Sequence, residues 1–169
     1  MSNTQALRIS PAAESDIPTI HAMINALADY LGLAHEAVVS EEDLHDALFG
    51  KQPKAEVVLV YVGEEAAGFA LFYGNYSTFR GQCGIHLEDL FVYPQWRSHG
   101  IGRRLLVHLA DLTIARGCRR LEWWVHAEDE RVVKFYEALG ASAKDEWVVY
   151  RLSGTSLQEL AAEAAAGVV

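Results

Sequence analysis

The sequence predicts a mixed α/β fold in which a mostly antiparallel central sheet is flanked by helices. Apolar runs form an antiparallel meander in the front half, a strand–helix–strand crossover follows in the back half, and a glycine turn opens the crossover helix. The length of 169 residues suits one domain. We therefore predict a single domain over 1–169, with a core over about 6–154 and a C-terminal helix over 155–166.

The front half alternates short apolar runs with polar breaks. Apolar side chains at helical spacing begin after Ser15 or Asp16, with Pro18 in the first turn, and Ser40 is a suitable cap for a second helix. The predicted elements are a strand over Leu7–Ser10, these two helices, strands over Glu56–Val62 and Gly68–Tyr73, and a Gly-, Ser- and Asn-rich loop over 74–84.

The back half contains the crossover. A strand over Ile85–Val92 leads into the glycine turn, and a helix that begins at Ile101 is expected to end at Gly117. The remaining predicted elements are a strand over Arg120–His126, a helix over Glu130–Leu139 closed by Gly140, a strand over Trp147–Leu152 and an Ala/Glu-rich terminal helix.

Charge and composition exclude several classes of function. The net charge of −9 argues against non-specific binding to nucleic acid or to an anionic membrane surface, so we expect neither as a partner. A cationic substrate is compatible with it. No segment has the pattern of a signal peptide or the length of a membrane span, so we expect a cytoplasmic protein.

The two cysteines, Cys83 and Cys118, lack the spacing of metal ligands and are too few for a disulfide framework. A reducing compartment is the simpler interpretation, and we expect both thiols to be chemically inert. We also expect no metal.

The segment from Gln95 to Arg104 is the most informative part of the chain. Gly100 and Gly102 allow a tight turn and a close approach of the backbone to a ligand. The helix that follows offers unpaired N–H groups and the positive end of its dipole, which together seat a phosphate. The third glycine of the Rossmann pattern and the Gly-Lys-Ser/Thr of a P-loop are both missing, so another nucleotide-binding fold is indicated.

Four motifs resemble the GNAT superfamily of acyl-CoA-dependent N-acetyltransferases. They are the turn Arg97-x-x-Gly100-x-Gly102, the run Leu87-Glu88-Asp89-Leu90-Phe91-Val92, Lys134-Phe135-Tyr136, and Leu139-Gly140-Ala141-Ser142. The last three lie at the spacing of the spermidine/spermine (diamine) acetyltransferase branch. The resemblance covers nearly the whole chain and implies the GNAT-type sheet, acetyl-CoA as co-substrate and a homodimer.

The resemblance also implies a cofactor site built from three segments. Leu90, Phe91 and Val92 would line the pantetheine arm and the thioester with their main chain. Asp129 stands where the family usually has Asn, and it can still cap the next helix. The other implied cofactor residues are Arg97, Ser98, His99, Gly100, Ile101, Gly102 and Arg103 for the pyrophosphate, and Val132 at the start of that helix.

Two residues are implied as the acid and base of the reaction. A neutral amine must attack the thioester, yet an alkyl amine with a pKa near ~10.4 is almost fully protonated at pH 7, a deficit of roughly 4.6 kcal/mol. Glu88 matches the branch's glutamate and is the candidate base, directly or through water. Tyr136 matches the family's proton donor to the leaving thiolate. Strand alternation puts Glu88 and Asp89 on opposite faces.

The acceptor is expected to be a small primary amine. The acidic residues with which the polyamine enzymes surround a long cation are depleted: Leu31 follows Tyr30 where the branch has a glutamate, and Ser77 and Phe79 replace an aspartate and a tryptophan. A diamine, a lysine- or thialysine-like amino acid, or an aminated metabolite fits better than spermidine. The candidate substrate residues are Tyr30, Glu88, Asp89, Glu122, Trp123 and Trp124.

Two other functions stay open at this point. The acceptor could be a protein lysine or N-terminus, or the chain could be a non-catalytic acyl-CoA-binding module. The presence of both Glu88 and Tyr136 disfavours the second alternative.

Overall fold

The structure, a computed structural model, describes residues 6–165 and divides into two compact units. The first unit runs to Trp124 and holds a five-stranded sheet in the order β1-β2-β3-β4-β5. Its strands are β1 Leu7–Pro11, β2 Glu56–Val62, β3 Glu65–Ser77, β4 Gln82–Val92 and β5 Leu121–Trp123. All neighbours are antiparallel except β4 and β5, which are parallel. This confirms the predicted mixed sheet; the single domain stays a prediction.

Two helices, α1 Ile17–Leu31 and α2 Glu41–Phe49, cover one face of the sheet. Ser40 caps α2 as predicted: its Oγ accepts the Asp43 N–H at 3.1 Å, and the Asp43 carboxylate accepts the Ser40 N–H at 2.9 Å. Burial of apolar side chains from both helices and three strands drives this packing, and the buried set is Ile17, Ile20, Met23, Leu44, Leu48, Val57, Leu59, Phe69 and Phe91.

The crossover helix α3, Ile101–Ala115, contacts β3, β4 and β5. It lies on the other face, where the alternate side chains of the strands, such as Val60 and Phe72, are also buried. Arg116 at the end of α3 lies 5.8 Å from the Phe72 ring centre and donates to both carboxylate oxygens of Glu56 at 2.6 Å. The helix ends before Gly117, whose φ is 69°. The predicted crossover is therefore confirmed.

The predicted loop over 74–84 is wrong. β3 continues to Ser77 and β4 begins at Gln82, so only the four residues 78–81 form the turn. The pairs Asn75↔Gly84 and Tyr76↔Cys83 extend the ladder. Gly, Ser and Asn weaken strand propensity, but cross-strand hydrogen bonding in a long hairpin overrides it.

The second unit runs from Val125 and holds α4 Glu130–Glu137 and α5 Gly154–Ala165. Gly140, with φ 89°, follows α4 as predicted. The predicted strand over Trp147–Leu152 is wrong, because these residues have no regular structure and their large side chains are exposed, Tyr150 to 93%. An apolar run becomes a strand only when a neighbouring strand pairs with it. Among the described residues, no helix has the length and apolar character needed to cross a membrane.

The cysteines are paired, which corrects the expectation of two separate, inert thiols. Cys83 near the start of β4 forms a disulfide with Cys118 after α3, with a Cα–Cα distance of 4.7 Å. The Arg119 N–H also donates to the Cys83 carbonyl at 3.1 Å. The two residues are 35 apart in sequence, and only the crossover brings them together. The disulfide therefore closes the segment that carries β4, the glycine turn and α3.

We expect reduction of this disulfide to lower the free energy of unfolding. Opening a loop of 35 residues restores chain entropy to the unfolded state worth about 4 kcal/mol. Urea unfolding with and without dithiothreitol measures the effect. The double variant Cys83→Ala/Cys118→Ala is the control and should not respond to the reductant. An unchanged wild-type midpoint under reduction contradicts a stabilising disulfide.

Candidate active site

The last residues of β4 form an open sheet edge. β5 pairs only with Ile85–Leu87 of β4, and no described strand continues this pairing to Val92. The main-chain groups of residues 88–92 that point away from β3 are therefore outside the ladder. Leu90, Phe91 and Val92, which the sequence implies for the thioester arm, lie on this edge and pair with β3 on their other side.

The glycine turn connects this edge to α3. Ser98 and Gly100 both have left-handed backbones, with φ of 64° and 75°. No atom lies within 4 Å of the place of a Gly100 side chain, so the positive φ rather than crowding explains the glycine. Gly100 is the N-cap of α3 and supplies no capping side chain. The first N–H groups of the helix, at Ile101, Gly102 and Arg103, are thus left without a side-chain cap and favour an anion.

Arg97 connects the glycine turn to the end of β4. Its Nε donates to the Val92 carbonyl at 2.9 Å, and its guanidinium lies 4.2 Å from the Tyr30 ring centre. His99 Nδ1 lies 2.7 Å from the Arg97 carbonyl oxygen. A cavity of about 380 Å³ opens beside this contact and is lined by Ala26, Asp29, Tyr30, Phe91, Tyr93, Pro94 and Arg97. Tyr30 and Arg97 therefore share one pocket.

The expectation that Glu88 and Asp89 face opposite ways is wrong. Leu71 pairs with Asp89 and Phe72 with Leu87, so Glu88 is an extra residue, a β-bulge. Asp89 lies on the α1/α2 face with Leu71, which packs against that core. Glu88 turns to the same face. Burial, and then the Glu88 charge, raise the pKa of Asp89 to about 6.

Glu88 is held by an aromatic cluster. His86 is 4% exposed, stacks on Tyr73 with ring centres 5.0 Å apart, and meets the Trp124 ring edge-on at 5.1 Å. Its Nε2 lies 3.6 Å from Glu88 Oε2. Burial, the Glu88 charge and a hydrogen bond to Glu88 raise the pKa of Tyr73. The carboxylate thus lies against His86 and Tyr73 while about half of its side chain stays exposed.

A second polar group lies next to this cluster on the same face. Asn75 Nδ2 donates to Glu122 Oε1 at 2.6 Å, and Arg120 Nη2 donates to Asn75 Oδ1 at 3.0 Å. Arg120 Nε lies 3.1 Å from Glu122 Oε2 but is not aligned for a hydrogen bond. We call the six side chains Tyr73, Asn75, His86, Glu88, Arg120 and Glu122 the polar patch. Trp123 pairs with Leu87 and faces away from it, whereas Trp124 lies beside it.

The second unit holds Asp129, Val132 and Tyr136. Asp129 caps α4 as predicted, because its Oδ1 accepts the Val132 N–H at 3.1 Å. That N–H is therefore already engaged. Tyr136 is half-buried on α4, and burial raises its pKa. A raised pKa keeps the hydroxyl protonated at neutral pH, as a proton donor requires.

Four members of the polar patch were not among the candidate residues: Tyr73, Asn75, His86 and Arg120. Assigning 74–84 to a loop hid Asn75, and the bulge hid the shared face of Glu88 and Asp89. Alternation along a longer hairpin would have found Tyr73 and Asn75. Among residues 6–165, no cluster of three or more His, Cys, Asp or Glu side chains is arranged to hold a metal ion.

We expect Asp89→Asn to stabilise the protein at neutral pH but not in acid. The pKa of Asp89 is raised in the folded state, so its proton stabilises the fold below about pH 4, and this contribution is lost as pH rises through about 6. The amide cannot ionise, so the variant should gain about 1–3 kcal/mol over wild type at pH 7.5.

Urea unfolding at pH 4.5 and pH 7.5 measures this difference. Asp111→Asn, an exposed site on α3, is the matched control and should show the same small effect at both pH values. A stability difference for Asp89→Asn that does not change with pH argues against the raised pKa.

This chain is similar to known proteins in both sequence and fold. Residues 20–141 match the Acetyltransferase (GNAT) family. Thialysine N-epsilon-acetyltransferase of Mus musculus is 33% identical over 91% of this chain and 96% of its own length, and an L-ornithine N5-acetyltransferase of Arabidopsis thaliana is 28% identical over 90% and 87%.

A solved structure, an integron cassette protein from the mobile metagenome of V. cholerae, superposes with a TM-score of 0.78 at 28% identity and covers 92% of this chain and 97% of its own. The family match spans well over half of the chain, from α1 to the residues after α4. The chain therefore belongs to the GNAT family of acetyltransferases and is an N-acetyltransferase.

Proposed function

We propose that this protein transfers the acetyl group of acetyl-CoA to a primary amine of a small molecule, by direct attack when both substrates are bound. The observation that carries the proposal is the open edge of β4, which bears the bulged Glu88 and ends at an uncapped helix N-terminus. An acyl carrier with a pyrophosphate fits such an arrangement, and an acidic residue on the edge fits a cationic acceptor.

The residues present suit acetyl-CoA. The main-chain groups of Leu90 and the Val92 N–H point away from β3 and can bond the amides of an extended arm, whereas Phe91 bonds β3 and the Val92 carbonyl accepts from Arg97. Ser98, Gly100 and the N–H groups from Ile101 to Arg103 suit a pyrophosphate, with Asp129 and Val132 as further proposed contacts. When bound, acetyl-CoA supplies the acetyl group as an activated thioester. An N–H near Val92 would stabilise the charge that develops on the carbonyl oxygen.

Glu88 is the proposed base. The acceptor arrives as an ammonium ion, and removing its proton at pH 7 costs roughly 4.6 kcal/mol from a pKa near ~10.4. Glu88 can take that proton directly or through one water. His86 and Tyr73 lie beside the carboxylate and limit the directions that it can take. A base with fewer accessible orientations loses less entropy on reaching the transition state.

Tyr136 is the proposed acid. A thiol with a pKa near ~8.5 leaves as a thiolate, and a tyrosine with a pKa near ~10 can protonate it for about 2 kcal/mol. Burial raises the pKa of Tyr136 further, which increases this mismatch and also keeps the proton in place before reaction. The Tyr136 hydroxyl therefore donates its proton to the leaving thiolate only after the amine has attacked the thioester.

The proposed acceptors are a diamine or a lysine-, ornithine- or thialysine-like amino acid. The relatives named for thialysine and ornithine acetylation support this class. Glu88, Asp89 and Glu122 share one face and attract a cation. We further propose that the protein acts in the cytoplasm, where burial of Cys118 would shield the disulfide from the thiols of that compartment.

We also propose a homodimer. The apolar side chains of Trp147, Val148, Val149 and Tyr150 are all more than half exposed, and contact with a second copy would remove them from water.

A thiol-release assay with acetyl-CoA tests the function. We expect saturable turnover with at least one member of a panel of diamines, polyamines, basic amino acids and lysine peptides. Turnover on peptides alone would move the activity to protein acetylation. Binding of acetyl-CoA by calorimetry with no turnover on any member would instead favour an acyl-CoA-binding module.

We expect Tyr136→Phe and Glu88→Gln to lower kcat by about 10²-fold or more, with little change in the Kd of acetyl-CoA, because each removes a proton-transfer group. Tyr76→Phe, which alters a tyrosine that is 64% exposed, is the matched control and should keep wild-type turnover. Unchanged kcat in Tyr136→Phe removes it from the acid role, and an unchanged pH profile in Glu88→Gln removes Glu88 as base.

A further inference from the structure

We propose that Arg120, Glu122 and Asn75 form a binding site for the α-amino-acid end of the acceptor, so that the enzyme selects a basic amino acid over the corresponding diamine. This inference rests on the proposed function, because it concerns the far end of the same acceptor whose amine Glu88 deprotonates. The argument starts from the position of the three side chains on the sheet.

All three lie on the same face as Glu88. His86 of β4 pairs with Tyr73 on one side and with Glu122 on the other. Two residues back along β4, Gly84 pairs with Asn75 and lies next to Arg120. Paired residues in neighbouring strands point to the same face. Glu122 is therefore level with His86, two residues from Glu88 along β4. About half of each of the Glu88 and Glu122 side chains is exposed, so both can be reached by a solute.

Arg120 and Glu122 place a positive and a negative charge close enough together to bind one ligand. The Arg120 guanidinium and the Glu122 carboxylate lie 3.1 Å apart, and Asn75 bonds to each of them. Arg120 bonds Asn75 through Nη2, and its guanidinium carries a second terminal nitrogen, Nη1. An α-amino acid carries a carboxylate that can bind the Arg120 guanidinium and an ammonium that can bind the Glu122 carboxylate. Arginine is suited to bind carboxylates through two N–H groups.

The arrangement is maintained by a glycine. A Cβ on Gly84 would lie 2.5 Å from Asn75 Oδ1 and 3.1 Å from Arg120 Nε. The side chains of β3 and of the residue before β5 meet across β4 only because Gly84 leaves this space. The contact buries Arg120 Nε, which increases the electrostatic strength of the group toward a ligand.

The spacing matches the length of a basic amino acid. Two residues of strand span about 6.6 Å, so Glu122, level with His86, lies about that far from Glu88 along the sheet. Arg120 is level with Gly84, and its guanidinium reaches to 3.1 Å from the Glu122 carboxylate. With bonds near ~1.5 Å in an extended chain, the side-chain nitrogen of lysine is about 6 Å from its Cα. The reacting amine at Glu88 and the head group at Glu122 can thus be occupied together. A diamine has no carboxylate, so its second ammonium can pair with Glu122 but nothing in it can pair with Arg120.

The test compares L-lysine with 1,5-diaminopentane, which has the same chain and lacks the carboxylate. We expect the wild type to prefer L-lysine, and Arg120→Gln to lower the ratio of kcat/KM for L-lysine over the diamine by at least about tenfold, mainly through KM. Arg119→Gln, an exposed neighbour, is the matched control and should keep the wild-type ratio. Thermal melting of both variants reports whether the fold is intact.

Equal losses on both substrates would mean that Arg120 only supports the sheet, and an unchanged ratio would mean that the head group binds elsewhere; either result overturns the proposal. If the wild type acetylates neither substrate, the thiol-release assay on the whole panel decides the proposed function separately. Calorimetric binding of L-lysine to the wild type and to Arg120→Gln then still decides the site, since tighter binding to the wild type supports it and equal or absent binding contradicts it.

Discussion

The bulge at Glu88 is the feature on which the site depends. One extra residue in β4 turns Glu88 to the face that already carries Asp89, His86 and Tyr73. Pairing with β5 stops at Leu87, the residue before the bulge, and from there the edge of β4 is available. Without the bulge, strict alternation would put Glu88 and Asp89 on opposite faces, one of them toward α3 and the apolar core. A buried carboxylate there would be costly, so register and chemistry constrain each other.

The carboxylates around the bulge differ in their burial and in the side chains that they contact. Asp89 is the more buried carboxylate, and its pKa is raised to about 6 because burial and the Glu88 charge both disfavour ionisation. Glu88 lies beside His86 and Tyr73, and Glu122 lies against Arg120. The face is therefore acidic around Glu88, the proposed base, and carries both charges at Arg120 and Glu122, the proposed head-group site.

The stability of the site comes from the parts of the fold outside it. Buried apolar side chains from α1, α2 and the sheet fix the face that carries Glu88, and the Cys83–Cys118 disulfide closes the segment from β4 through the glycine turn to α3. Arg97 ties that turn back to the Val92 carbonyl. The turn is thus anchored at both ends, which keeps the N–H groups of α3 ready for an anion at little entropic cost.

The sequence alone determined the mixed sheet, the two front helices with the Ser40 cap of α2, the crossover and the glycine turn, because hydrophobic period and capping chemistry are local. The cap predicted for α1 at Ser15 or Asp16 is wrong, since no side chain caps that helix. It also indicated the family through motifs at set spacings. Only the tertiary structure decided three features: the length of the β3–β4 hairpin, the bulge at Glu88 and the cysteine pair. It also left Trp147–Leu152 outside the sheet. Each of these depends on which residues of distant segments pair, and a single chain pattern does not encode that register.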